Sequence, residues 1–323
     1  MRIIKPVCLA CGVLIGALAP AIAQEACPPG PNALGVSRVA EIDTSSGPRF
    51  GFQYKEQDVL ADGEVVLTFD DGPLRPYSRP VLEALAAHCT KATFFVVGRM
   101  AVADPEMVRE YARLGHTIGI HTWSHANLHS ITPLKARTEI ELGFSAVQQA
   151  LGKPVAPFFR FPYLADTKSM TTHLQERHVA IFSIDLDSKD FRTRDPGTVH
   201  RRVMGDLARA KKGIILFHDI QPSTARALPS LLADLKAKGY RIVHLQPKAE
   251  ATTMPEFDVV AQRELDRRRA TVAAQPLAQR SMTWPISTGV SAEPAVAKEQ
   301  VRPTPRASAR NPKTDWFSNA FKW

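Results

Sequence analysis

The sequence predicts an α/β fold in which a parallel sheet of seven βα units closes into a barrel. From Glu64 to about Leu245, short β-rich runs alternate with amphipathic stretches, the rhythm of a parallel sheet covered by helices. Seven such runs fit within that span, and most of the polar residues suited to chemistry sit where the runs end. Barrels of this type collect their catalytic groups at the C-terminal ends of the strands. An open doubly wound sheet is the alternative that the pattern leaves standing.

The chain begins as an export signal does. Arg2 and Lys5 precede an apolar run from Val7 to Leu18, and Ala21-Ile22-Ala23 supplies a small-x-small cleavage pattern. Residues 1–23 are therefore expected to be removed from an exported protein, periplasmic or secreted. The run is shorter than the roughly 20 apolar residues of a membrane span, so no transmembrane span is expected after signal removal. An uncleaved anchor is the competing reading. Cleavage would leave two cysteines, Cys27 and Cys89, and an oxidising compartment favours one disulfide between them; a buried free Cys89 is the alternative.

Residues 24–62 form an irregular extension broken at Pro28-Pro29-Gly30 and Gly47-Pro48. It is expected to wrap the barrel and add a strand or hairpin near Phe50–Tyr54. The barrel proper spans 63–247. Its strands are expected at Val65–Phe69, Ala92–Val97, Thr117–Ile120, Pro157–Phe161, Val179–Ile184, Gly213–Phe217 and Tyr240–Val243. Helices are expected at Ser78–His88, Pro105–Leu114, Pro133–Leu151, Gly197–Ala210 and Ala225–Lys238.

Residues 248–323 are expected to be a mostly disordered tail rich in Pro, Ala and Arg, with a short helix allowed around Glu256–Arg269. From residue 251 on it holds 11 Lys/Arg against 7 Asp/Glu, part of a formal net charge of +9 for the chain. Such a tail suits weak contact with an anionic envelope, or is simply a solvated linker. With 44% hydrophobic and 23% charged residues the composition is globular. No nucleic-acid motif is present, so nucleic acid is not an expected partner, and a monomer is expected.

Asp70-Asp71, after the first strand, are adjacent carboxylates that need the Gly72-Pro73 turn to share a pocket, because neighbouring strand residues point to opposite faces. Sharing one would let one stay ionised beside a cation while the other acts as a base. His121 and His125 are four apart, a spacing that on a helical turn places both imidazoles on one side of a metal. Together with Asp71 they make a three-ligand set with an open position, the arrangement of a catalytic site. A divalent metal is therefore expected; Zn2+ fits best, and Co2+ or Ni2+ also fit. His116 and His129 read as local structure or surface. Arg160 after the fourth strand can clamp a carboxylate, Asp185 and Asp187 end the fifth, and His218-Asp219 end the sixth. A histidine backed by a carboxylate suits general acid–base work.

In this order, Leu67–Pro73, His121–His125, Arg160–Tyr163, Asp187–Phe191 and Leu216–Asp219 resemble the motifs of the polysaccharide deacetylases of carbohydrate esterase family four, the nodulation-protein-B-like group. The resemblance runs from about Leu60 to Leu245. It implies a distorted seven-stranded (β/α) barrel that hydrolyses N-acetyl groups of a chitooligosaccharide- or peptidoglycan-like glycan. It further implies Asp70 as catalytic base, Asp71, His121 and His125 as metal ligands, and Arg160 as the group holding the base. Tyr163 would lend its backbone N–H to an oxyanion hole. Asp190 would orient His218, the general acid, and Leu216 would line the acetyl pocket. The sequence departs from the family at Phe191, where the motif usually has Trp; Phe keeps an apolar wall of smaller area beside the substrate. An O-acetyl esterase or amidohydrolase on the same scaffold, or a silent glycan-binding protein, are the rival readings.

Overall fold

The computed structural model of the 323-residue chain describes residues 33–54 and 56–274. The expected signal segment, Cys27 and the tail from residue 275 lie outside them. In chain order the elements are β1 (Arg38–Ile42), β2 (Arg49–Phe50), β3 (Glu64–Asp70), α1 (Arg75–Ala87), β4 (Thr93–Val96), α2 (Gly98–Ala103), α3 (Pro105–Arg113), β5 (Thr117–Ile120) and α4 (Pro133–Leu151). They continue as β6 (Phe158–Phe159), α5 (Lys168–Glu176), β7 (Ala180–Phe182), β8 (Leu186–Asp187), α6 (Pro196–Ala210), β9 (Gly213–His218), α7 (Pro222–Ala237), β10 (Arg241–Pro247) and α8 (Pro255–Ala274). The strand pairings are parallel, as the βα rhythm requires.

β3, buried along its whole length, lies between β9 and β4, and the order runs on through β5, β6 and β7. The ring is completed by an interruption. The fifth expected strand breaks after Phe182, and its continuation as β8 pairs with β9. The barrel is distorted at this seam. β10 reaches only the first two residues of β3 and carries β1 on its far side. Neither β1 nor the interruption was foreseen. The strand expected near Phe50 is present, but β2 runs parallel to β7 and forms no hairpin.

Side-chain parity divides the core. Val65, Leu67 and Phe69 of β3 pack with helix residues such as Leu85 and Leu231, whereas Val66 packs with Phe95, Phe158, Phe182 and Ile214 inside the ring. The same alternation holds along β5 and β9. Helix ends follow local chemistry. Pro133 starts α4 behind the cap of Thr132, and Gly152 ends it at φ 79°; Asp195 caps α6 by accepting from the N–H groups of Gly197 and Thr198.

The limit placed at residue 247 requires correction. Pro255–Ala274 forms a helix of 20 residues that packs on α4 and α2, burying Ala261 and Leu265. The short helix allowed around Glu256–Arg269 is thus present and longer than expected, with only two buried positions. Among the described residues no helix is long and apolar enough to cross a membrane. Cys89 is disulfide-bonded.

Candidate active site

Parity along the strands delivers the first groups. Counting from Val66, Thr68 and Asp70 point into the ring, as does His218 counting from Ile214. Asp71 would face the helices, but its backbone turns at φ 77° and brings it back beside Asp70. The turn foreseen for this pair thus begins at Asp71 itself. Asp70, Asp71, His121, Arg160 and Asp190 are almost wholly buried at one end of the barrel.

Arg160 is 0% exposed. Its Nη1 donates to Asp70 Oδ1 at 2.7 Å and Thr68 Oγ1 at 2.8 Å, its Nε to the Phe182 carbonyl at 3.2 Å, and its Nη2 to the Ser183 carbonyl at 3.0 Å. The guanidinium also lies 4.2 Å above the Phe95 ring. A buried cation is tolerated only with this degree of pairing. Burial raises the pKa of Asp70, against the pull of Arg160 and His218, which makes it a stronger proton acceptor than an ordinary carboxylate.

Asp71, His121 and His125 converge. One ligand atom from each lies within 4.8 Å of the others, with Asp71 Oδ1 at 3.6 Å from His121 Nε2 and 3.3 Å from His125 Nε2. The histidines do not share a helical turn as their spacing suggested. They flank a loop in which Thr122 and His125 adopt φ 65° and 59°. His121 Nδ1 lies 2.8 Å from the Arg160 carbonyl, so it donates there and leaves Nε2 as an acceptor. Burial pushes His121 down to about 3 and His125 well below its usual value. Burial also lifts Asp71 to about 7, with help from Asp70, Asp219 and Asp190 and against His218. Asp71 Oδ1 accepts no hydrogen bond among the described residues. Two neutral imidazoles and a buried, unsatisfied carboxylate oxygen at one point suit a divalent cation.

Across the cleft, His218 Nε2 is 4.0 Å from Asp71 Oδ2. Its Nδ1 is 2.7 Å from Asp190 Oδ1, while Asp190 Oδ2 accepts the His218 backbone N–H at 2.7 Å. Thr224 donates to the same oxygen, and Ser223 to the Asp190 carbonyl at 3.0 Å. Burial alone would lower the pKa of His218, but Asp190 with Asp71 and Asp70 raises it to about 10. The carboxylate behind His218 is therefore Asp190. Adjacent Asp219 instead faces the core, accepting from Ser78 and Tyr111 and packing against Gly72, where a Cβ would come within 2.3 Å of it.

Tyr163 and Phe191 are the exposed aromatics of the rim, at 57% and 48%. The Tyr163 ring meets His125 edge-on at 4.7 Å, and the Phe191 ring meets His218 edge-on at 5.6 Å. Leu216, two residues before His218 on β9, is buried on the same strand face. Asp185 does not join the site: its carboxylate accepts the Ile214 N–H at 2.8 Å and lines a cavity of about 520 Å³ together with Phe50, Leu60 and Lys212. His116 is local structure, its Nδ1 accepting the Ala92 N–H at 3.2 Å.

Residues 58–180 match the family model described as polysaccharide deacetylase. The chain is 31% identical over 211 residues to the chitooligosaccharide deacetylase of a Bradyrhizobium strain, covering 60% of this chain and 94% of that protein. The chain belongs to the polysaccharide deacetylase family. A further relative of the chain is the peptidoglycan-N-acetylglucosamine deacetylase PgdA of Listeria monocytogenes, 34% identical over 180 residues. That match takes in 55% of this chain but only 37% of the Listeria protein. Among solved structures, a Bdellovibrio bacteriovorus peptidoglycan deacetylase superposes with a TM-score of 0.61 at 32% identity, over 68% of this chain and 61% of that one.

Several members of the site went unnoticed in the sequence. Thr68 and Phe95 support Arg160, and Ser223 and Thr224 grip Asp190. Only Thr68 carried a signal, being a polar residue inside an apolar strand.

Proposed function

We propose that this chain is an exported, metal-dependent deacetylase that hydrolyses N-acetyl groups of an N-acetylglucosamine-containing glycan of the peptidoglycan or chitooligosaccharide type, releasing acetate. One observation carries the reading: a raised, Arg160-held carboxylate and a raised, Asp190-held imidazole face each other across a three-ligand cation site. Export is supported by the signal pattern of residues 1–23 and by relatives named for peptidoglycan.

Asp71, His121 and His125 would hold a divalent cation, for which zinc is the best match, and the cation would supply Lewis acidity at the amide carbonyl. Asp70 accepts the proton of the attacking water while Arg160 fixes its Oδ1. The Tyr163 backbone N–H donates to the oxygen that becomes negative in the transition state. Such a donor is typically worth about 3 kcal/mol. His218, whose pKa Asp190 raises, donates from its Nε2 side to the departing nitrogen, its Nδ1–H being held by Asp190. The C–N bond breaks, the acetyl carbon keeps the water oxygen, and the sugar amine leaves with a proton. Leu216 and Phe191 border the acetyl group and the sugar.

The test is acetate release by the metal-loaded protein from peptidoglycan, chitooligosaccharide and acetyl-xylan. Release from either of the first two is expected. Release from acetyl-xylan alone would replace amide by ester hydrolysis. Asp70→Asn is expected to keep the bound metal and lose at least about 100-fold in kcat, as loss of a general base does; an active variant would remove Asp70 from that role.

A further inference from the structure

Ahead of the family-matched region, residues 50–54 run along the outgoing end of β7. The Ser183 N–H donates to the Phe50 carbonyl at 2.8 Å, and the Phe52 N–H to the Ile184 carbonyl at 3.0 Å. Gly51, at φ 95°, permits the contact, because a Cβ there would lie 2.8 Å from the Ser183 carbonyl carbon. The next two side chains then reach across to the loop after β6. Gln53 Oε1 accepts from Ser183 Oγ at 2.5 Å, and its Nε2 donates to the Leu164 carbonyl at 3.0 Å. The Tyr54 hydroxyl lies near the Asp166 carboxylate.

The turn so held has an unusual backbone. Tyr163 and Leu164 both take left-handed conformations, at φ 60° and 55°. Residues with a Cβ keep that conformation only where their surroundings over-determine it. Within the turn, Leu164 N–H donates to the Phe161 carbonyl and Ala165 N–H to the Pro162 carbonyl, both at 3.1 Å. Gln53 adds the tie to the barrel wall. It anchors Leu164 to Ser183, the residue whose carbonyl Arg160 grips at 3.0 Å.

We propose that Gln53 is a positioning residue of the deacetylase: by bridging Ser183 and Leu164 it aims the Tyr163 backbone at the reacting carbonyl. This rests on the deacetylase reading above. The N-terminal extension is then a working part of the site.

Two variants test it. Gln53→Met keeps the size and loses both bonds; Gln53→Glu keeps the acceptor for Ser183 and loses the donor to Leu164. Both are expected to lower kcat about 10-fold on an N-acetylated oligosaccharide with KM within about 2-fold, because the contact they loosen matters only in the transition state. Amide exchange at residues 162–165 is expected to quicken at least about 10-fold, with residues 93–96 unchanged. Unchanged kcat in both variants, or a KM effect alone, overturns the proposal, as does a loss of protection that includes 93–96. If the unsubstituted protein releases no acetate from any substrate, the deacetylase reading fails. The exchange comparison then still decides whether Gln53 holds the turn.

Discussion

Replacing Arg160 with Met should unfold the barrel's chemistry and its stability together, in a way that pH exposes. Met fills much of the space but leaves Asp70 buried without its paired guanidinium, and a buried charge that loses its partner costs about 3–5 kcal/mol. The carbonyls of Phe182 and Ser183 lose their donors as well, at about 1–3 kcal/mol each where water does not replace them. The protein has one escape, protonation of Asp70. Burial already raises that pKa, and without Arg160 it must rise further. An acid whose folded pKa lies above its unfolded value of about 3.9 loses stability as pH rises from the unfolded towards the folded value. The deficit of Arg160→Met relative to the unsubstituted protein should therefore deepen with pH, by at most about 1.4 kcal/mol per unit. In Asp70→Asn/Arg160→Met that slope should vanish and part of the lost stability should return. Urea unfolding of metal-free protein at pH 5, 6 and 7 measures this. A deficit under about 1 kcal/mol at pH 7, or a double variant with the same slope as Arg160→Met, refutes the account of Arg160 as the counter-charge of Asp70.

Asp190→Asn should lower the His218 pKa from about 10, read by NMR titration of metal-free protein. Stability from the charged imidazole is complete below about 6.5 and lost as pH rises through the folded pKa, so the variant should lose it earlier; an unmoved titration would discount the pair. His125→Ala should weaken zinc binding by more than about 100-fold, beyond the 10–100-fold typical of a ligand's supporting partner, and competition with a chelator reports it. Leu265→Ala should cost about 2–5 kcal/mol in chemical denaturation; a cost near zero would mean that α8 contributes nothing to the core.

Most of the barrel could be read from the chain because its strands are buried on both faces and flanked by amphipathic helices. β8 was unreadable: two residues carry no period, and what makes Leu186–Asp187 a strand is the proximity of β9. β1 alternates too weakly, with Ala40 and Ile42 its only buried positions. The chemically active side chains were legible from their types and their places at strand ends. How they are oriented was not. The convergence of His121 and His125 depends on left-handed backbone at Thr122 and His125, and the grip of Thr224 on Asp190 depends on the packing of α7.

The break between β7 and β8 gives Arg160 a second occupation. Past Phe159, β6 offers no further backbone donor to the carbonyls of Phe182 and Ser183, and the guanidinium takes them instead. A side chain is thus standing in for a missing stretch of strand at the seam of the barrel. Catalytic power and structural closure are consequently unequal in how easily each can be discarded. At Arg160 the site cannot be silenced without also unpicking the wall that holds it.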